Sequence, residues 1–588
     1  MKTFSKLSWF FKAHKKRYFI GIIALILTSV ANLVPPRILG KMADQLNTGH
    51  ISWQQFFSYV FAIIVAAFFL YLCRYFWRKE IIGGGALLEK ELRGQLYSHF
   101  LEMDKTFYQR HRTGDLMAHA TNDVQAVQTV ASDGVLTLVD AFFTGGATLI
   151  AMIIFVDWRL TIIAMLPLPF LALMARNLGT KLHDAYSDSQ AAFSRLNNKT
   201  QESLSGIKVL KTFGQSKQDS ESFNKMTYET IDINKKVFRI DSLYDPLTTL
   251  IIGVTYIITI IYGGILVSNK NISLGQLISF VSYIGTMIWP MFAIGYLFNI
   301  LERGSASYDR IMNLMNEKSL IHDAGEKKNE INYSIVKGDL NYSVDSFSYP
   351  DELNKTVLRG INFSLKPGQT LGLVGKVGAG KTTIIQLLMR EFDNYSGKIT
   401  LGGHDIREIP LDIYLNEVSY VPQNNFLFSV SIKDNINFAK PNASMNETIR
   451  AAKESALHND ILLFENGYDT SVGENGVSLS GGQKQRMSIA RALLRDSEIL
   501  ILDDALSAVD AKTENQILDN LRKNRRDKTT IIAAHRLNAV KNADLILVMD
   551  NGQILERGTH EELLTKDGWY AKMWQKQQLE IKVDESNE

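Results

Sequence analysis

The sequence predicts a protein of two domains, in which an all-α domain of six membrane-spanning helices precedes an α/β domain with a phosphate-binding loop. Three observations predict this fold class. Long apolar runs are confined to residues 18–299, whereas residues 338–588 alternate short apolar strands with helical segments. Residues 375–382 carry the spacing G-x-x-x-x-G-K-[ST], which is typical of a loop that binds phosphate groups. A chain of 588 residues is also too long for a single domain.

Composition adds little to this prediction. The formal net charge is +3, so the charge balance indicates no preference for nucleic acid. The single cysteine, Cys73, lies in an apolar run and cannot form an internal disulfide, so we expect it to pack among apolar side chains.

Six apolar runs are long enough to cross a bilayer, which takes about 20 residues of helix. They are residues 18–40, 56–77, 134–156, 160–178, 246–268 and 274–299. Residues 1–17 contain lysine and arginine but no acidic residue, which predicts a cytoplasmic N-terminus. The first run is too long for a cleaved signal peptide and lacks a small-residue cleavage site. We therefore expect a multi-pass protein of the cell membrane whose second domain is cytoplasmic.

The connections between the runs alternate in length. Those that would face outside are short, whereas residues 78–133 and 179–245, which would face inside, are long, polar and helical in pattern. We expect the membrane helices to continue into the cytoplasm there and to contact the second domain.

Two features of the apolar half leave alternatives open. Asp140 is a functional candidate if it lies within the membrane, because a charge there is costly, but it could equally lie at the inner membrane face. The sixth run is rich in aromatic and methionine side chains, which suit a cavity for varied apolar molecules but more often face lipid or pack between helices. These side chains are Phe280, Tyr283, Met287, Trp289, Met291, Phe292, Tyr296 and Phe298.

The phosphate-binding loop follows an apolar strand at residues 371–374 and opens a helix. Its glycines allow backbone conformations that point several N–H groups at one anion, and the helix N-terminus adds positive potential. Lys381 can reach the β- and γ-phosphates, and the Thr382 hydroxyl can hold Mg²⁺. The alternative, an ordinary glycine turn, does not explain why strand, loop and helix occur together.

Five further motifs lie before and after this loop. Tyr349 ends a strand-like stretch upstream, and Gln423 ends the strand VSYVPQ downstream. The sequence LSGGQ at 479–483 precedes a helix and offers a second anion site. Asp503 and Asp504 end an apolar strand, and His535 follows another. Each residue alone could be ordinary structure, but their joint order favours a functional site.

Together these motifs resemble the ATP-binding-cassette (ABC) exporters, in the form of a half-transporter with one six-helix membrane domain of the type I exporter fold and one nucleotide-binding domain. The resemblance covers nearly the whole chain and implies an ATP-hydrolysing translocase that uses ATP and Mg²⁺. The domains are then a membrane domain at 1–310, a linker at 311–337, a nucleotide-binding domain at 338–580 and a tail at 581–588. Two segments of the membrane domain resemble those that couple the two kinds of domain: GDLMAHATNDV (114–124) and SGIKVLKTFGQ (205–215).

The resemblance assigns a role to each motif residue. Tyr349 resembles the residue that stacks on adenine. Residues 507–510 resemble the loop that touches the facing subunit, and Glu474 resembles the residue that senses the partner's helices. The residues expected to bind nucleotide are Tyr349, Gly375, Lys376, Val377, Gly378, Ala379, Gly380, Lys381, Thr382, Thr383, Ser480, Gly481, Gly482 and Gln483. Those expected to hold Mg²⁺ are Thr382, Gln423 and Asp503, and those expected to act in hydrolysis are Asp504, His535 and Gln423.

One residue departs from the family pattern. The family usually places glutamate after Asp503, to position the attacking water, and here Asp504 is one methylene shorter. Because a misplacement of about 1 Å can cost roughly 100-fold in rate, we expect this site to bind ATP and Mg²⁺ but to hydrolyse slowly. The intact LSGGQ should complete the site of a partner. This asymmetry resembles bacterial heterodimeric multidrug exporters.

We therefore expect a subunit of an ATP-driven exporter of amphipathic drugs or dyes, paired with a second half-transporter in the lipid bilayer and without a nucleic-acid partner. A heterodimer is favoured over a homodimer. Two alternatives remain: a lipid or peptide translocase with the same ATP-driven machinery, and an ATP-binding regulatory subunit that does not itself transport.

Overall fold

The computed structural model describes residues 2–49, 51–321, 323, 337–473 and 478–587. The chain divides into two compact units. The first comprises Met1–Leu101 and Arg112–Glu317, and the second comprises Glu102–His111 and Lys318–Glu588. The short segment Glu102–His111 thus groups with the second unit, although the sequence boundary at residue 310 placed it in the first domain.

Helices make up the first part of the chain. In order they are Lys2–Lys6 (α1), Ser8–Ala13 (α2), Lys15–Ala31 (α3), Val34–Asn47 (α4), Trp53–Trp77 (α5), Gly83–Glu102 (α6), Lys105–Arg110 (α7), Thr113–Ala118 (α8), Val124–Thr129 (α9), Val135–Val139 (α10), Gly145–Phe155 (α11), Trp158–Met165 (α12), Leu168–Ser205 (α13), Ile207–Thr212 (α14), Ser216–Asp241 (α15), Tyr244–Ser268 (α16) and Leu274–Asn316 (α17). Short π-helical segments, Arg78–Ile82, His119–Asp123, Val130–Gly134 and Asp140–Thr144, join several of them into longer helices.

Among the residues that the structure describes, five helices are long and apolar enough to cross a membrane. They are Lys15–Asn47, Trp53–Glu102, Thr113–Phe155, Ser216–Ser268 and Leu274–Asn316. The fourth predicted span falls on α12 and the start of α13, which are separate helices because Pro167 interrupts them, and the apolar stretch Trp158–Leu171 is shorter. The long helices confirm a multi-pass membrane protein and extend well beyond the apolar runs, as the polar connections predicted.

Residues 280–287 of the sixth predicted span pack against neighbouring helices. Phe280, Tyr283 and Met287 are at most 2% exposed within cores formed with neighbouring helices, whereas Trp289 and Phe298 are exposed. The buried residues therefore support the helix-packing interpretation of the aromatic stripe. Exposed Trp289, Tyr296 and Phe298 are the members that this chain leaves uncovered.

Asp140 has hydrogen-bond partners inside the first unit. Its Oδ1 accepts a hydrogen bond of 2.6 Å from Thr144 Oγ1, and Thr144 Oγ1 lies 2.7 Å from Ser29 Oγ of α3. Since both hydroxyl groups are buried, the carboxylate is part of a polar contact between two helices.

The second unit contains two sheets and the remaining helices. The strands are Leu340–Phe347 (β1), Leu358–Leu365 (β2), Thr370–Gly375 (β3), Tyr395–Leu401 (β4), His404–Asp405 (β5), Val418–Val421 (β6), Ile499–Asp503 (β7), Thr529–Ala533 (β8), Leu545–Asp550 (β9) and Gln553–Gly558 (β10). The helices are Lys381–Leu388 (α18), Leu411–Asn416 (α19), Ile432–Asn437 (α20), Met445–Glu454 (α21), His458–Leu462 (α22), Gly481–Arg495 (α23), Ala511–Asn524 (α24), His560–Thr565 (α25) and Trp569–Asn587 (α26).

Strand order brings the sequence motifs to one edge of the larger sheet. Its order is β10-β9-β3-β8-β7-β6, and β9, β3, β8, β7 and β6 run parallel. β3, β7 and β8 are buried almost throughout, which explains why their sequences are continuously apolar. In open parallel sheets ligands bind at the carboxyl ends of the strands, and the loops after β3, β6, β7 and β8 all lie there.

The structure describes only part of the predicted linker. Helix α17 continues to Asn316, through the start of the predicted linker at 311–337, and residues 322 and 324–336 lie outside the described residues. Helix α26 likewise continues to Asn587, through most of the predicted tail.

Candidate functional site

The phosphate-binding loop has the backbone conformation that its glycines predict. Gly375, Gly378 and Gly380 have φ values of 144°, 80° and 102°, in the region that L-residues with side chains rarely adopt. A Cβ atom at Gly375 would also lie 2.2 Å from the Met549 carbonyl oxygen. The loop leads directly into α18, which begins at Lys381, so backbone N–H groups gather at a helix N-terminus. This arrangement fits an anionic phosphate chain.

Lys381 is held inside the loop. Its Nζ donates to the carbonyl oxygens of Gly375 at 2.8 Å and Lys376 at 3.1 Å. The residue is 8% exposed, and burial lowers the pKa of its ammonium group, while Asp503 and Asp504 oppose that shift. Both acceptors are neutral carbonyl oxygens, and the buried ammonium group is well suited to exchange them for charged phosphate oxygens.

Oxygen atoms suited to Mg²⁺ converge beside the loop. Thr382 Oγ1 lies 3.5 Å from Asp503 Oδ1, and Tyr420 donates to Asp503 Oδ2 at 3.4 Å. Asp503 is 5% exposed at the end of β7, and burial raises the pKa of its carboxyl group. A hard cation stabilises a buried carboxylate, and carboxylate and hydroxyl oxygens are ligands that Mg²⁺ accepts, so this donor set fits Mg²⁺.

Asp504 and His535 follow adjacent strands. Asp504 has φ of 50°, and its backbone N–H donates to the Ala533 carbonyl oxygen at 2.8 Å. Aspartate tolerates this left-handed conformation better than most residues. Gln423 Nε2 lies 3.4 Å from Asp504 Oδ2, a long contact, and the exposed His535 has its carbonyl oxygen bonded to Gln577 Nε2.

These residues line one cleft of about 850 Å³. Its lining residues from the predicted site are Tyr349, Val377, Gly378, Ala379, Gly380, Lys381, Thr382, Thr383, Gln423, Asp503, Asp504 and His535. The Tyr349 hydroxyl bonds to Thr383 Oγ1 at 2.9 Å and donates to Gln386 Oε1 at 3.0 Å, which fixes its ring at the rim of the cleft. Gln109 of α7 also lines the cleft and was not predicted.

The signature sequence forms the N-terminus of α23, away from this cleft. Ser480 Oγ accepts from the Gln483 N–H at 3.2 Å, and Gln483 Oε1 accepts from the Ser480 N–H at 3.1 Å, so the helix has a capping box. The described residues that line the cleft do not include Ser480, Gly481, Gly482 or Gln483. The two segments expected to bind anions therefore do not share this cleft.

Gln485 links the signature helix to the loop at residues 507–510. Its Nε2 donates to Ser507 Oγ at 3.1 Å, and its Oε1 accepts from the Ala508 N–H at 2.9 Å. A Cβ atom at Gly482 would lie 2.8 Å from the Ala508 carbonyl oxygen, so only glycine allows this close packing. Gln485, the second glutamine of LSGGQKQR, was the available signal for this contact, but its position in the sequence did not indicate which loop it contacts.

The segment that groups with the second unit lies upstream of the expected coupling sequence. In α7, Lys105 Nζ lies 2.5 Å from Glu391 Oε2, and Arg110 Nη2 lies 2.9 Å from Asp351 Oδ1. Residues 114–124 and 205–215 belong instead to the first unit. Glu474, the other residue expected to sense a partner, lies outside the described residues.

Comparison with known protein families agrees with both halves. Residues 18–291 match the family described as "ABC transporter transmembrane region", and residues 358–507 match the family described as "ABC transporter". The two matches together cover most of the chain and follow each other in the order that the sequence predicted.

Individual relatives span the full length. The chain is 44% identical to the "Probable multidrug resistance ABC transporter ATP-binding/permease protein YheI" of Bacillus subtilis, over 98% of this chain and 97% of the relative. It is 42% identical to the "Multidrug resistance-like ATP-binding protein MdlA" of Escherichia coli, over 100% and 99% of the two chains. An "ATP-dependent lipid A-core flippase" of Syntrophus aciditrophicus is 30% identical over 100% and 96%.

A solved structure gives the same fold. The "Structure of a bacterial Atm1-family ABC exporter with ATP bound" matches with a TM-score of 0.76 and 25% identity, over 96% of this chain and 98% of that chain. The predicted fold class is thereby confirmed. The chain belongs to the ABC transporter family, as an exporter half-transporter that joins one membrane domain to one ATP-hydrolysing domain.

Proposed function

We propose that this chain is one subunit of a heterodimeric multidrug exporter, with a weakly hydrolytic ATP site of its own and a signature sequence that completes the partner's site. The observation that carries the proposal is Asp504, which occupies the position of the family's glutamate in a chain whose LSGGQ is intact.

The residues of the cleft supply binding and orientation. The loop N–H groups and Lys381 hold the β- and γ-phosphates of ATP, and Tyr349 stacks on adenine. Thr382, Gln423 and Asp503 would hold Mg²⁺, which neutralises charge on the phosphate oxygens. His535 contacts the γ-phosphate, and Asp504 orients the attacking water from a carboxylate that is one methylene short.

An exposed apolar stretch in the first unit supports the proposal that a second half-transporter is the partner. The stretch 204–213 leaves Leu204, Ile207, Val209 and Phe213 exposed, at 66%, 42%, 60% and 72%. A cluster of exposed apolar side chains marks an interaction surface. The signature helix N-terminus, which is remote from this chain's own cleft, points to the same conclusion. Closure of two nucleotide-binding domains around ATP would then move the membrane helices from inward- to outward-facing.

The relatives support drugs as cargo, because two of them carry multidrug resistance in their printed names. In this proposal the cargo is amphipathic drugs or dyes, and the ATP-binding domain is cytoplasmic. The lipid A-core flippase is the more distant relative, at 30% identity. In reconstituted vesicles, we expect ATP-dependent dye accumulation without faster lipid movement. Lipid movement without dye transport would favour the translocase alternative, and ATP binding with neither would favour a regulatory subunit.

The pairing is tested by the ATPase activity of the purified chain with and without its partner. The candidate partner is a half-transporter with glutamate at the position of Asp504 and an altered signature sequence. We expect the lone chain to hydrolyse ATP at least about tenfold more slowly than the pair, because its own site lacks a well-placed general base. A pair of subunits in which this chain carries Gly481→Asp should also hydrolyse ATP more slowly than the unaltered pair, because the signature sequence completes the partner's site. Equal rates for the lone chain and the pair would contradict the proposal.

A further inference from the structure

Helix α24 buries a carboxyl group behind the Asp504 turn. Glu514 is 2% exposed, and its Oε1 has no hydrogen-bond partner among the residues that the structure describes. Its Oε2 lies 3.6 Å from Arg536 Nη1. A buried oxygen atom without a partner is unfavourable, so such a group requires an explanation.

A small cavity adjoins this carboxyl group. It measures about 10 Å³, close to the space that one water molecule requires. Its polar lining comes from Asp504, Ser507, Glu514 and Arg536. A site with several polar groups and this volume suits a single hydrogen-bonded water.

Arg536 connects this carboxyl group to two parts of the ATP site. It directly follows His535, the residue expected to contact the γ-phosphate. Its Nη1 also donates to the Val509 carbonyl oxygen at 3.4 Å, within the loop that resembles the family's subunit-contacting loop. The guanidinium group therefore joins the His535 segment to the loop through Val509 and to α24 through Glu514.

We propose that Glu514 is a positioning residue for ATP hydrolysis, which binds Arg536 through Oε2 and one water in the cavity through Oε1. The ion pair between Glu514 and Arg536 fixes the His535 segment relative to the Asp504 turn. His535, which acts on the γ-phosphate, and Asp504, which acts on the attacking water, thereby keep their spacing. This inference rests on the proposed role of the cleft in ATP hydrolysis, but it does not depend on which partner the chain takes.

The charge state of Glu514 gives the inference a distinctive readout. Burial raises the pKa of its carboxyl group, Asp504 adds to the rise, and Arg536 and Lys541 oppose it. Only the carboxylate pairs with Arg536. Since the raised pKa lies above the ordinary glutamate value, the pairing is present above that pKa and is lost as the pH falls through it. Hydrolysis should therefore decline on the acid side at a higher pH than an ordinary glutamate would produce.

The test uses Glu514→Gln in the assembled exporter with an azido analogue of ATP that carries a radiolabel on its γ-phosphate. Loss of label from the analogue cross-linked to this chain reports hydrolysis at its own site, so the partner's turnover does not enter. We expect the rate constant to fall roughly tenfold and the acid-side decline to disappear. Half-saturation with the analogue should change by less than about twofold, because Glu514 does not line the nucleotide cleft.

Two further variants make the outcome decisive. Glu454→Gln is the matched control, because burial also raises the pKa of Glu454 but the residue lies outside the cleft lining. It should keep the parent rate and pH profile. Arg536→Gln, at a side chain that is 56% exposed, should reproduce the Glu514→Gln phenotype even if the latter folds poorly. A parent-like rate and acid-side decline in Arg536→Gln would overturn the inference. The same loss in Glu454→Gln would overturn it as well.

Discussion

Replacing Lys381 with alanine is expected to lower the affinity of this chain's site for ATP by about 10- to 100-fold and to abolish ATP-driven efflux. The ammonium group is buried and is held by two carbonyl oxygens of the loop, so it is available for the β- and γ-phosphates. Hydrogen bonds between charged groups contribute about 1.5–3 kcal/mol each, which sets this range. The measurement is a titration with a fluorescent ATP analogue, together with dye efflux from vesicles that contain the assembled exporter.

Lys366→Ala serves as the matched control for this prediction. Lys366 is an exposed lysine that precedes β3 and is not among the residues lining the cleft. It should leave affinity and efflux unchanged. Unaltered affinity and efflux in Lys381→Ala would show that this loop does not hold the nucleotide that drives transport.

Changing Asp504 to glutamate is expected to raise hydrolysis at this site by about 10- to 100-fold. The longer side chain moves the carboxylate about 1 Å toward the attacking water while the acid is kept. The left-handed φ of 50° at this position favours aspartate slightly, so a small loss of thermal stability should accompany the gain. The rate is measured as phosphate release by the assembled exporter after the partner's phosphate-loop lysine has been replaced.

Asp504→Asn distinguishes length from charge. It keeps the size of the side chain but removes the basic oxygen, so it should hydrolyse more slowly than the parent. If Asp504→Glu and the parent hydrolyse ATP equally fast, the short carboxylate is not what limits this site.

The sequence predicted the chemistry of the second unit better than its full architecture. Four strands, β3, β6, β7 and β8, were predicted because each is a short apolar run that ends in a motif residue or is followed by one within two positions. β9 lies beside β3, and β2 beside β1, because of pairings between residues far apart in the chain, which no local pattern encodes. In the four-stranded sheet β1 was predicted, as the stretch that ends at Tyr349, but β2, β4, β5 and the helices α20–α22 carry no motif and were not predicted.

The same distinction applies to the site. The order of the parallel strands brings Lys381, Asp503, Asp504 and His535 to one cleft, which agrees with the motif spacing. Three residues near the site, Gln109, Gln485 and Glu514, were not predicted, because their positions depend on contacts between residues far apart in the chain. The ion pairs of Lys105 and Arg110 were likewise not predicted, because a helical pattern does not show which residues far along the chain its side chains contact.

The most direct test of the central claim compares the fate of the γ-phosphate at the two sites of the assembled exporter. The exporter is incubated with Mg²⁺ and azido-ATP labelled on either the α- or the γ-phosphate, cross-linked at intervals, and separated into its subunits. The account predicts that the ratio of γ- to α-label stays close to its starting value on this chain while it falls on the partner. A ratio that falls at the same rate on both subunits would contradict it.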